Sequence, residues 1–477
     1  MTTKARGGTQ SPTLEAGAVS LSGVLMQAIT HIAPAIGLAT SIAFVTSLTG
    51  ITAPLAYGIA FVLMLTVGAS LTRLARLFPS AGGYYTYLSR TIHPRAGLLT
   101  SWVYFLYDPL GGAINLAFFG FIFQGVIKAK YGVTIEWWIP FLVFLAIVTF
   151  FVYRGIKVAT GALVVLGVLE ILVVVALALS GLLSPGPGGA TISSFDPARS
   201  LSGNGLYLAV VFSILTFSGF ESVAPLAEES RNPRRTLPIA IITSIAGMGV
   251  FFVVSSWGIV AGWGAHETTA LANSAQNPML VIGERLWGAG WLIVLLAIFN
   301  SALAVGIACT NASTRVFYGM ARSGSLPRQL AKVHPRHKTP VNAVLLQTLI
   351  TLAFGLGIGF WIGPDQEFFF TGVAITLGLI FIYCAGNIGV TRYYVTQQRS
   401  SLNFWLDILF PVASTVGLVW VGYKSIIPLP TGPAHYAPFV VLGWFIAGIV
   451  LVWYMSRTGR EAWLVKAREA ADEVPER

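Results

Sequence analysis

The sequence predicts an all-α integral membrane protein of twelve transmembrane helices, in which two sets of five helices form an inverted repeat and two helices follow. Three observations predict this architecture. The chain is 55% hydrophobic and only 10% charged, which is too apolar for a soluble protein of this length. Twelve apolar stretches have about the length that a membrane-spanning helix needs. Helix-breaking residues recur at corresponding places in the first and sixth stretches.

The apolar stretches, numbered here as runs 1 to 12, follow one another closely along the chain. They cover residues 20–47, 53–75, 97–127, 137–153, 160–183, 204–227, 237–262, 290–320, 341–363, 368–394, 404–423 and 437–456. Runs 3 and 8 are long, which predicts tilted helices. The loops between the runs are short, and none predicts a soluble domain.

Basic residues are distributed unequally between the two sets of loops. If the N-terminus lies inside, 24 of the 29 lysines and arginines fall in inside loops, and the exceptions are Lys128, Lys130, Arg199, Arg285 and Lys424. The positive-inside rule then predicts cytoplasmic termini for a protein of the cell membrane. The net charge of +11 follows from this orientation. We therefore expect membrane lipids as surroundings and no nucleic-acid partner.

Two runs carry glycine and proline where a helix should be continuous. "THIAPAIG" (30–37) interrupts run 1, and "FSGFESVAP" (217–225) interrupts run 6. Run 6 opens a second set of five runs, and interrupted helices at matching places in two halves indicate an inverted-repeat transporter. The predicted division is a cytoplasmic tail (1–19), a first repeat (20–183), an inverted second repeat (204–394), helices 11 and 12 (404–456) and a cytoplasmic tail (457–477).

Three long motifs resemble one family in the right order. "FPSAGGYYTYLSRTIHPRAGLLTSW" (78–102), "FSGFESVAPLAEESRNPRRTLPIAI" (217–241) and "ASTRVFYGMARSGSLPRQLAKVHPRHKTPVNAV" (312–344) are similar to signatures of the amino acid–polyamine–organocation superfamily of secondary transporters. The resemblance covers roughly residues 20–400. It implies a LeuT-like fold, discontinuous helices 1 and 6, and a permease that works by alternating access.

The chain departs from this family at two places. Many relatives carry a glycine–serine–glycine break in helix 1, where this chain has "HIAPAIG" (31–37). Many arginine exchangers carry a tryptophan six residues before the helix 6 glutamate, and Leu215 occupies that position here. The leucine argues against stacking of a guanidinium group.

Ionisable residues inside the runs are the first candidates for chemistry, because charge is unfavourable in the membrane interior. Glu221 aligns with the family's helix 6 glutamate, and we expect it to couple protonation or substrate charge to closure. Asp108 in run 3 would favour a positively charged group on the solute. The alternatives are a structural hydrogen bond for Glu221 and, for Asp108, satisfaction of backbone groups freed by Pro109.

Two further ionisable residues are candidates for coupling and gating. Glu170 in run 5 occupies a place where some proton-coupled relatives carry a lysine, so it would be a proton carrier or a cation ligand. His31 lies at the run 1 break, and histidine changes charge between about pH 5 and 8. A structural ion pair or hydrogen bond is the alternative for each. Three acids and no lysine or arginine in the membrane interior favour a solute with a free amine.

The remaining candidates surround the two breaks. Helices 1, 3, 6, 8 and 10 should enclose the site. We expect substrate contacts from Ala33, Ala35, Gly37, Asp108, Phe217, Gly219 and Tyr383. Phe220 is a candidate gate. The hydroxyls of Thr310 and Ser313 form a candidate cation site, although hydroxyls are common at helix interfaces.

The sequence analysis therefore predicts a secondary transporter for an amino acid or a small amine, driven by protons. A sodium-coupled symporter and an obligatory exchanger on the same fold remain open. A membrane-embedded enzyme using His31 and Glu221 is a more remote alternative. The sequence has no phosphate-binding G-x-x-x-x-G-K-[ST] loop and no H-E-x-x-H motif. We expect no cofactor, and the two cysteines in apolar runs predict neither a disulfide framework nor a zinc site.

Overall fold

A computed structural model describes residues 14–430 and 432–458. Helices make up the fold, and the described residues contain no β-strand beyond one isolated bridge between Val19 and Ser230. The predicted tails (1–19 and 457–477) lie largely outside these residues.

Eight α-helices form the first half of the described chain. They are α1 (Leu21–Ile32), α2 (Pro34–Thr49), α3 (Ala53–Leu77), α4 (Tyr84–Thr91), α5 (Pro94–Tyr104), α6 (Asp108–Tyr131), α7 (Trp138–Tyr153) and α8 (Ile156–Leu183).

Nine α-helices form the second half. They are α9 (Gly203–Thr216), α10 (Pro233–Trp263), α11 (Thr268–Ala272), α12 (Pro278–Trp287), α13 (Trp291–Arg322), α14 (Val341–Ile362), α15 (Pro364–Thr396), α16 (Phe410–Ile426) and α17 (Ala437–Arg457). A 3-10 helix (Phe220–Leu226) follows α9, and a π-helical turn (Trp405–Leu409) precedes α16.

The length and composition of these helices define a multi-pass membrane protein. Within the described residues, 10 helical stretches are long and apolar enough to cross a membrane. Trp138–Tyr153 is apolar but shorter, and the first stretch, Leu21–Leu77, has 57 residues, more than twice the length of one span. The all-α prediction is confirmed, with about ten to twelve membrane-length helices.

Runs 1 and 6 are each divided into two helical segments. In run 1, α1 ends at Ile32 and α2 begins at Pro34, and Ala33 between them has a left-handed φ of 58°. In run 6, α9 ends at Thr216 and the 3-10 helix begins at Phe220, after Gly219 with a φ of 127°. The second segment of run 1 begins at a proline, and the second segment of run 6 begins directly after a glycine. Neither residue favours a continuous helix.

The two interruptions are in contact with each other. A Cβ atom at Gly219 would lie 2.7 Å from both the carbonyl carbon of His31 and the amide nitrogen of Ile32. Only glycine therefore allows the run 6 backbone to approach run 1 this closely.

A third interruption divides run 3, which the sequence analysis treats as one long helix. The helix α5 ends at Tyr104 and α6 begins at Asp108, followed by Pro109 in the first turn. Proline is favoured at the first positions of a helix because it lacks the amide that would stay unpaired there. An acidic residue is also stabilised by the positive end of the helix dipole. The prediction of one continuous helix was wrong. The Asp108-Pro109 pair explains why a new helix begins at this point.

Among the described residues, four of the five pairs of corresponding runs in the two sets pack against one another. Run 2 contacts run 7 (α3 with α10), run 3 contacts run 8 (α6 with α13), and run 4 contacts run 9 (α7 with α14). Runs 1 and 6 contact through α2 with α9 and through α1 with the 3-10 helix. These contacts bring the interruptions of runs 1, 3 and 6 to the centre of the helical core.

Candidate functional site

Three helices bring a histidine, an aspartate and a cysteine together at the interruptions. His31 lies in the last turn of α1, Asp108 is the first residue of α6, and Cys309 lies in the middle of α13. The His31 Nε2 atom is 2.9 Å from Asp108 Oδ1 and 3.3 Å from Cys309 Sγ. All three residues are buried. We call them the central trio.

Two tyrosines from the end of α5 and the following turn complete this site. Tyr104 donates a hydrogen bond to the second oxygen of Asp108. The hydroxyl of Tyr107 is 3.3 Å from His31 Nε2, and it also interacts with Glu221. Tyr107 therefore links the central trio to the run 6 interruption.

Glu221 lies in the buried 3-10 helix that follows Gly219. Both of its carboxylate oxygens are 3.2 Å from the amide nitrogen of Gly219, which donates to them. The carboxylate thus accepts from an amide that has no helical partner at the start of the 3-10 helix. The Tyr383 ring of α15 stacks on Phe220 with centroids 5.6 Å apart, and its buried hydroxyl has no hydrogen-bond partner within the described residues.

Glu170 of α8 contacts the part of run 1 that follows the interruption. Its Oε2 atom accepts a hydrogen bond of 3.3 Å from the amide of Ala35, in the first turn of α2. The positive end of a helix dipole stabilises an anion at this position. A protein carboxylate therefore already occupies one of the amides that the sequence analysis assigns to substrate.

The other predicted site residues divide into two groups. Ala33 and Gly37 line a cavity beside the central trio, and Gly219 contacts the backbone of His31. Phe217 instead packs into the helical core, with its ring 5.2 Å from Phe252 and 6.3 Å from Phe61.

The candidate cation site lies on α13, close to a polar contact that the sequence analysis missed. Ser313 is buried, and its hydroxyl has no hydrogen-bond partner within residues 14–430 and 432–458. Thr310 is also buried. Gln27 of α1 donates to the carbonyl of Ala308 at 2.8 Å and accepts from Asn311 at 3.2 Å. These bonds join α1 to α13 along the side of the candidate site.

Two cavities flank the central residues. The first has a volume of ≈ 80 Å³ and the second ≈ 20 Å³. In run 6, the lining residues of the first cavity precede Gly219, and those of the second follow it. In run 3, the lining residues of the first cavity begin at Tyr107, and those of the second end at Asp108. The first is lined by His31, Ala33, Gly37, Tyr107, Cys309 and Ser218, and the second by Tyr84, Tyr104, Asp108, Glu221 and Pro225, among others. The central trio therefore separates the two cavities along the helix axes.

An aromatic cluster covers the first cavity at the end away from the central trio. The ring of Phe44 is 4.2 Å from that of Phe212 and 6.0 Å from that of Phe369. All three rings line this cavity. They come from α2, α9 and α15, so a movement of these helices would open or close it.

Ion pairs and backbone pairing close the opposite side, where the second cavity lies. Arg315 and Glu229 form a fully buried pair, with Nε 2.9 Å from Oε2. Arg322 and Glu228 form a second pair with a nitrogen–oxygen distance of 2.5 Å. Val19, just before α1, pairs its backbone with Glu229 and Arg231 at 2.9 and 3.0 Å.

Arg315 corrects one reading of the sequence. The sequence places Arg315 among the inside basic residues and predicts no arginine in the membrane interior. Arg315 is in fact an internal residue of α13 and is fully buried. The burial is tolerated because Glu229 supplies a paired charge and Thr314 accepts a further hydrogen bond at 3.1 Å.

Sequence reasoning did not single out several residues of this site. Cys309, Tyr104, Tyr107, Gln27 and Glu229 all make buried polar contacts there. The stretch "YFLYD" (104–108) carried a signal, because the two tyrosines lie four residues and one residue before the aspartate. Cys309 and Gln27 carried no such signal in the sequence. Neither belongs to a recognisable motif, and their partners are brought close only when the helices pack.

The fold and the site define a multi-pass membrane protein with a buried polar centre between two cavities. Residues 23–465 match the family described as amino acid permease. The chain belongs to this family, whose members are membrane transporters and not enzymes. This confirms the resemblance to the amino acid–polyamine–organocation superfamily.

Relatives with assigned substrates cover most of the chain. The low-affinity putrescine importer PlaP of Escherichia coli is 26% identical over 420 residues, which are 85% of this chain and 88% of that protein. The branched-chain amino acid permease BcaP of Bacillus subtilis is 26% identical over 355 residues, 71% of this chain and 74% of BcaP. The aromatic amino acid transport protein AroP of Escherichia coli is 23% identical over 397 residues, 81% of this chain and 83% of AroP.

Proposed function

We propose that this protein imports a small amine, or an amino acid with a free amine, by proton-coupled alternating access across the cell membrane. One observation carries the proposal. Asp108 and Glu221 line the same small cavity at the meeting point of three interrupted helices. Two carboxylates at this depth attract a cationic group, and an ammonium ion there compensates their buried charge.

The size of the first cavity supports a small solute. A cavity needs at least roughly 10–15 Å³ of such space to hold one water molecule, so ≈ 80 Å³ has room for a few waters or a short amine. The names of the relatives include a putrescine importer and permeases for amino acids. The carboxylates favour the amine among these classes.

The arrangement of the runs supports an inverted repeat. In our proposal, runs 1–5 (20–183) and runs 6–10 (204–394) are the two repeats of a LeuT-like fold with discontinuous helices 1 and 6, and residues 404–456 add helices 11 and 12. Leu21–Leu77 then supplies two spans, and Trp138–Tyr153 supplies a short one, which gives twelve. Contacts between corresponding runs are those that a two-fold axis in the membrane plane would produce.

The closed side is the cytoplasmic side in this proposal. The basic residues place both termini inside, and the ion pairs of Arg315 and Arg322 lie on the side of the N-terminal segment. The first cavity then faces outward beneath Phe44, Phe212 and Phe369. The solute would enter from that side, bind at Ala33, Gly37 and Asp108, and leave after the inner contacts separate.

Glu221 is the proposed coupling residue. It connects to the amide of Gly219 and to Tyr107, which contacts His31 of the central trio. A proton on Glu221 would change the charge next to both interrupted helices. His31, Glu170 and Phe220 act as gating residues through their contacts with Asp108, Ala35 and Tyr383. Sodium coupling at Thr310 and Ser313, and obligatory exchange, are the alternative modes.

Solute counterflow tests the substrate class without any assumption about the coupling ion. Purified protein in liposomes preloaded with unlabelled putrescine, or with an unlabelled amino acid, should accumulate the labelled solute from outside. We expect accumulation with amines, and a strong loss of it in the Asp108→Asn variant. Counterflow with neutral amino acids alone would contradict the role of the carboxylates, and an absence of counterflow for every solute would contradict the proposed function.

A further inference from the structure

We propose that the central trio, His31, Asp108 and Cys309, is a binding site for a thiophilic divalent cation such as Zn²⁺ or Cd²⁺, which blocks transport when bound. One nitrogen, one carboxylate oxygen and one sulfur atom of these residues all lie within 4.8 Å of one another. Among the described residues, no other group of three histidine, cysteine or acidic side chains converges in this way.

The distances between the donor atoms suit a tetrahedral metal site. Ligand bonds of about 2.0 Å for nitrogen and about 2.3 Å for sulfur place neighbouring ligand atoms roughly 3.3–3.6 Å apart around zinc. His31 Nε2 is 2.9 Å from Asp108 Oδ1 and 3.3 Å from Cys309 Sγ. An increase of a few tenths of an ångström in these two distances would therefore make room for the ion.

The combination of donor types selects the class of metal. An imidazole, a carboxylate and a thiolate are the ligands of zinc and of other borderline or soft cations, whereas sodium and magnesium prefer oxygen alone. The Tyr107 hydroxyl, 3.3 Å from His31 Nε2, or a water from the first cavity would complete the coordination. This site is distinct from the hydroxyls of Thr310 and Ser313.

The surroundings of the trio support binding. Tyr104 holds the second oxygen of Asp108 by a hydrogen bond, which fixes the orientation of the carboxylate as outer-shell partners do in metal sites. His31 and Cys309 both line the first cavity, so an ion reaches them by the path proposed for the solute. Metal binding would displace the thiol proton and any proton on the imidazole.

A bound ion would stop transport because its three ligands come from three helices. His31 belongs to α1, Asp108 to α6 and Cys309 to α13. Coordination bonds would hold these helices together and occupy the Asp108 carboxylate. The inhibition rests on the proposed transport function, whereas metal binding itself does not.

Cadmium binding to the purified full-length protein tests the site directly. A cadmium–thiolate bond gives an ultraviolet charge-transfer absorption band, so the readout requires a cysteine and ignores surface histidines. We expect one band at stoichiometric Cd²⁺ that Zn²⁺ displaces, with protons released on binding. The band should persist in Cys384→Ser, the matched control at the other cysteine, and disappear in Cys309→Ser.

A second variant separates coordination from binding to a lone thiol. His31→Gln keeps Cys309 but removes the nitrogen ligand, and we expect the affinity for Cd²⁺ to fall at least about tenfold. Thermal unfolding of each variant shows whether it is folded. Each of three results would overturn the proposed metal site. The absorption band could be absent from the folded unmodified protein, it could persist in Cys309→Ser, or folded His31→Gln could bind Cd²⁺ with unchanged affinity. If Cd²⁺ binds but does not reduce counterflow in a protein that transports, the proposed inhibition of transport is overturned. The proposed metal site is then still supported.

Discussion

At the scale of single residues, the most consequential contact is the buried pair of His31 and Asp108. The His31 Nε2 and Asp108 Oδ1 atoms are 2.9 Å apart, and both side chains are almost wholly removed from solvent. An unpaired charge in such a place is strongly unfavourable, whereas a paired one is tolerated. Each residue therefore depends on the other, and a solute ammonium that binds Asp108 must compete with His31.

Asp108→Asn should reduce amine uptake at least about tenfold, because it removes the carboxylate that binds the ammonium. It also leaves His31 without its partner. Concentration-dependent counterflow in liposomes measures the loss. A variant that transports amines with unchanged apparent affinity would show that Asp108 has only a structural role.

The double variant His31→Gln/Asp108→Asn is the control for stability. Removal of both members of a buried pair is less destabilising than removal of one. We expect the double variant to recover thermal stability without recovering amine uptake. Recovery of both would assign the effect of Asp108→Asn to destabilisation.

Glu221→Gln should abolish the pH dependence of uptake while preserving the fold. The glutamine oxygen can still accept the hydrogen bond that Gly219 donates at 3.2 Å, but the side chain no longer binds and releases a proton. Uptake measured from pH 5 to 8 checks this prediction. Normal transport with the same pH profile as the unmodified protein would exclude Glu221 as the coupling residue.

At the scale of elements, the contact between the interruptions of runs 1 and 6 depends on one glycine. Gly219 has a φ of 127°, and a Cβ there would lie 2.7 Å from backbone atoms of His31 and Ile32. The backbone of another element cannot move aside as a flexible side chain can. Runs 1 and 6 can therefore approach this closely only because Gly219 has no side chain.

Gly219→Ala should destabilise the protein by at least about 2 kcal/mol, from backbone strain and from the clash with run 1. Gly247→Ala in α10 is the matched control, since a Cβ there meets no atom within 4 Å. That change should be neutral or stabilising by up to about 1 kcal/mol. Unfolding in detergent micelles compares them, and equal stabilities would refute the proposed contact.

Elements with strong local signals could be predicted from the sequence. Apolar length predicted an all-helical fold with about ten to twelve membrane-length helices, and the prolines and glycines of 30–37 and 217–225 lie beside the ends of helical segments. The division of run 3 escaped prediction because hydrophobicity continues through it, although Asp108-Pro109 marks the start of α6. The partners of Glu170 and Cys309 escaped prediction because they depend on how distant helices pack.

At the scale of the whole molecule, the side near the N-terminal segment is closed by contacts of very different strength. Arg315 and Glu229 are both fully buried, whereas Lys157 and Glu15 are exposed by 60% and 42% of their side chains. Buried charges are poorly screened by water, and exposed ones are well screened. The Arg315–Glu229 pair should therefore dominate the stability of this side.

Arg315→Met should lower the free energy of unfolding by about 3–5 kcal/mol, because it leaves the Glu229 carboxylate buried and unpaired. Lys157→Met should lower it by less than about 1 kcal/mol. The double variant Arg315→Met/Glu229→Leu should recover most of the loss. Similar effects of the two single changes would mean that the buried pair opens to solvent in the native protein.

The central claim is that this permease couples a proton gradient to the movement of an amine past Asp108 and Glu221. Uptake of labelled putrescine by purified protein in liposomes, with an acidic exterior and no sodium, tests it most directly. The account predicts accumulation that a protonophore abolishes and that Glu221→Gln lacks. Accumulation only when sodium or an internal counter-solute is supplied would contradict proton coupling and would leave Glu221 as a ligand and not a proton carrier.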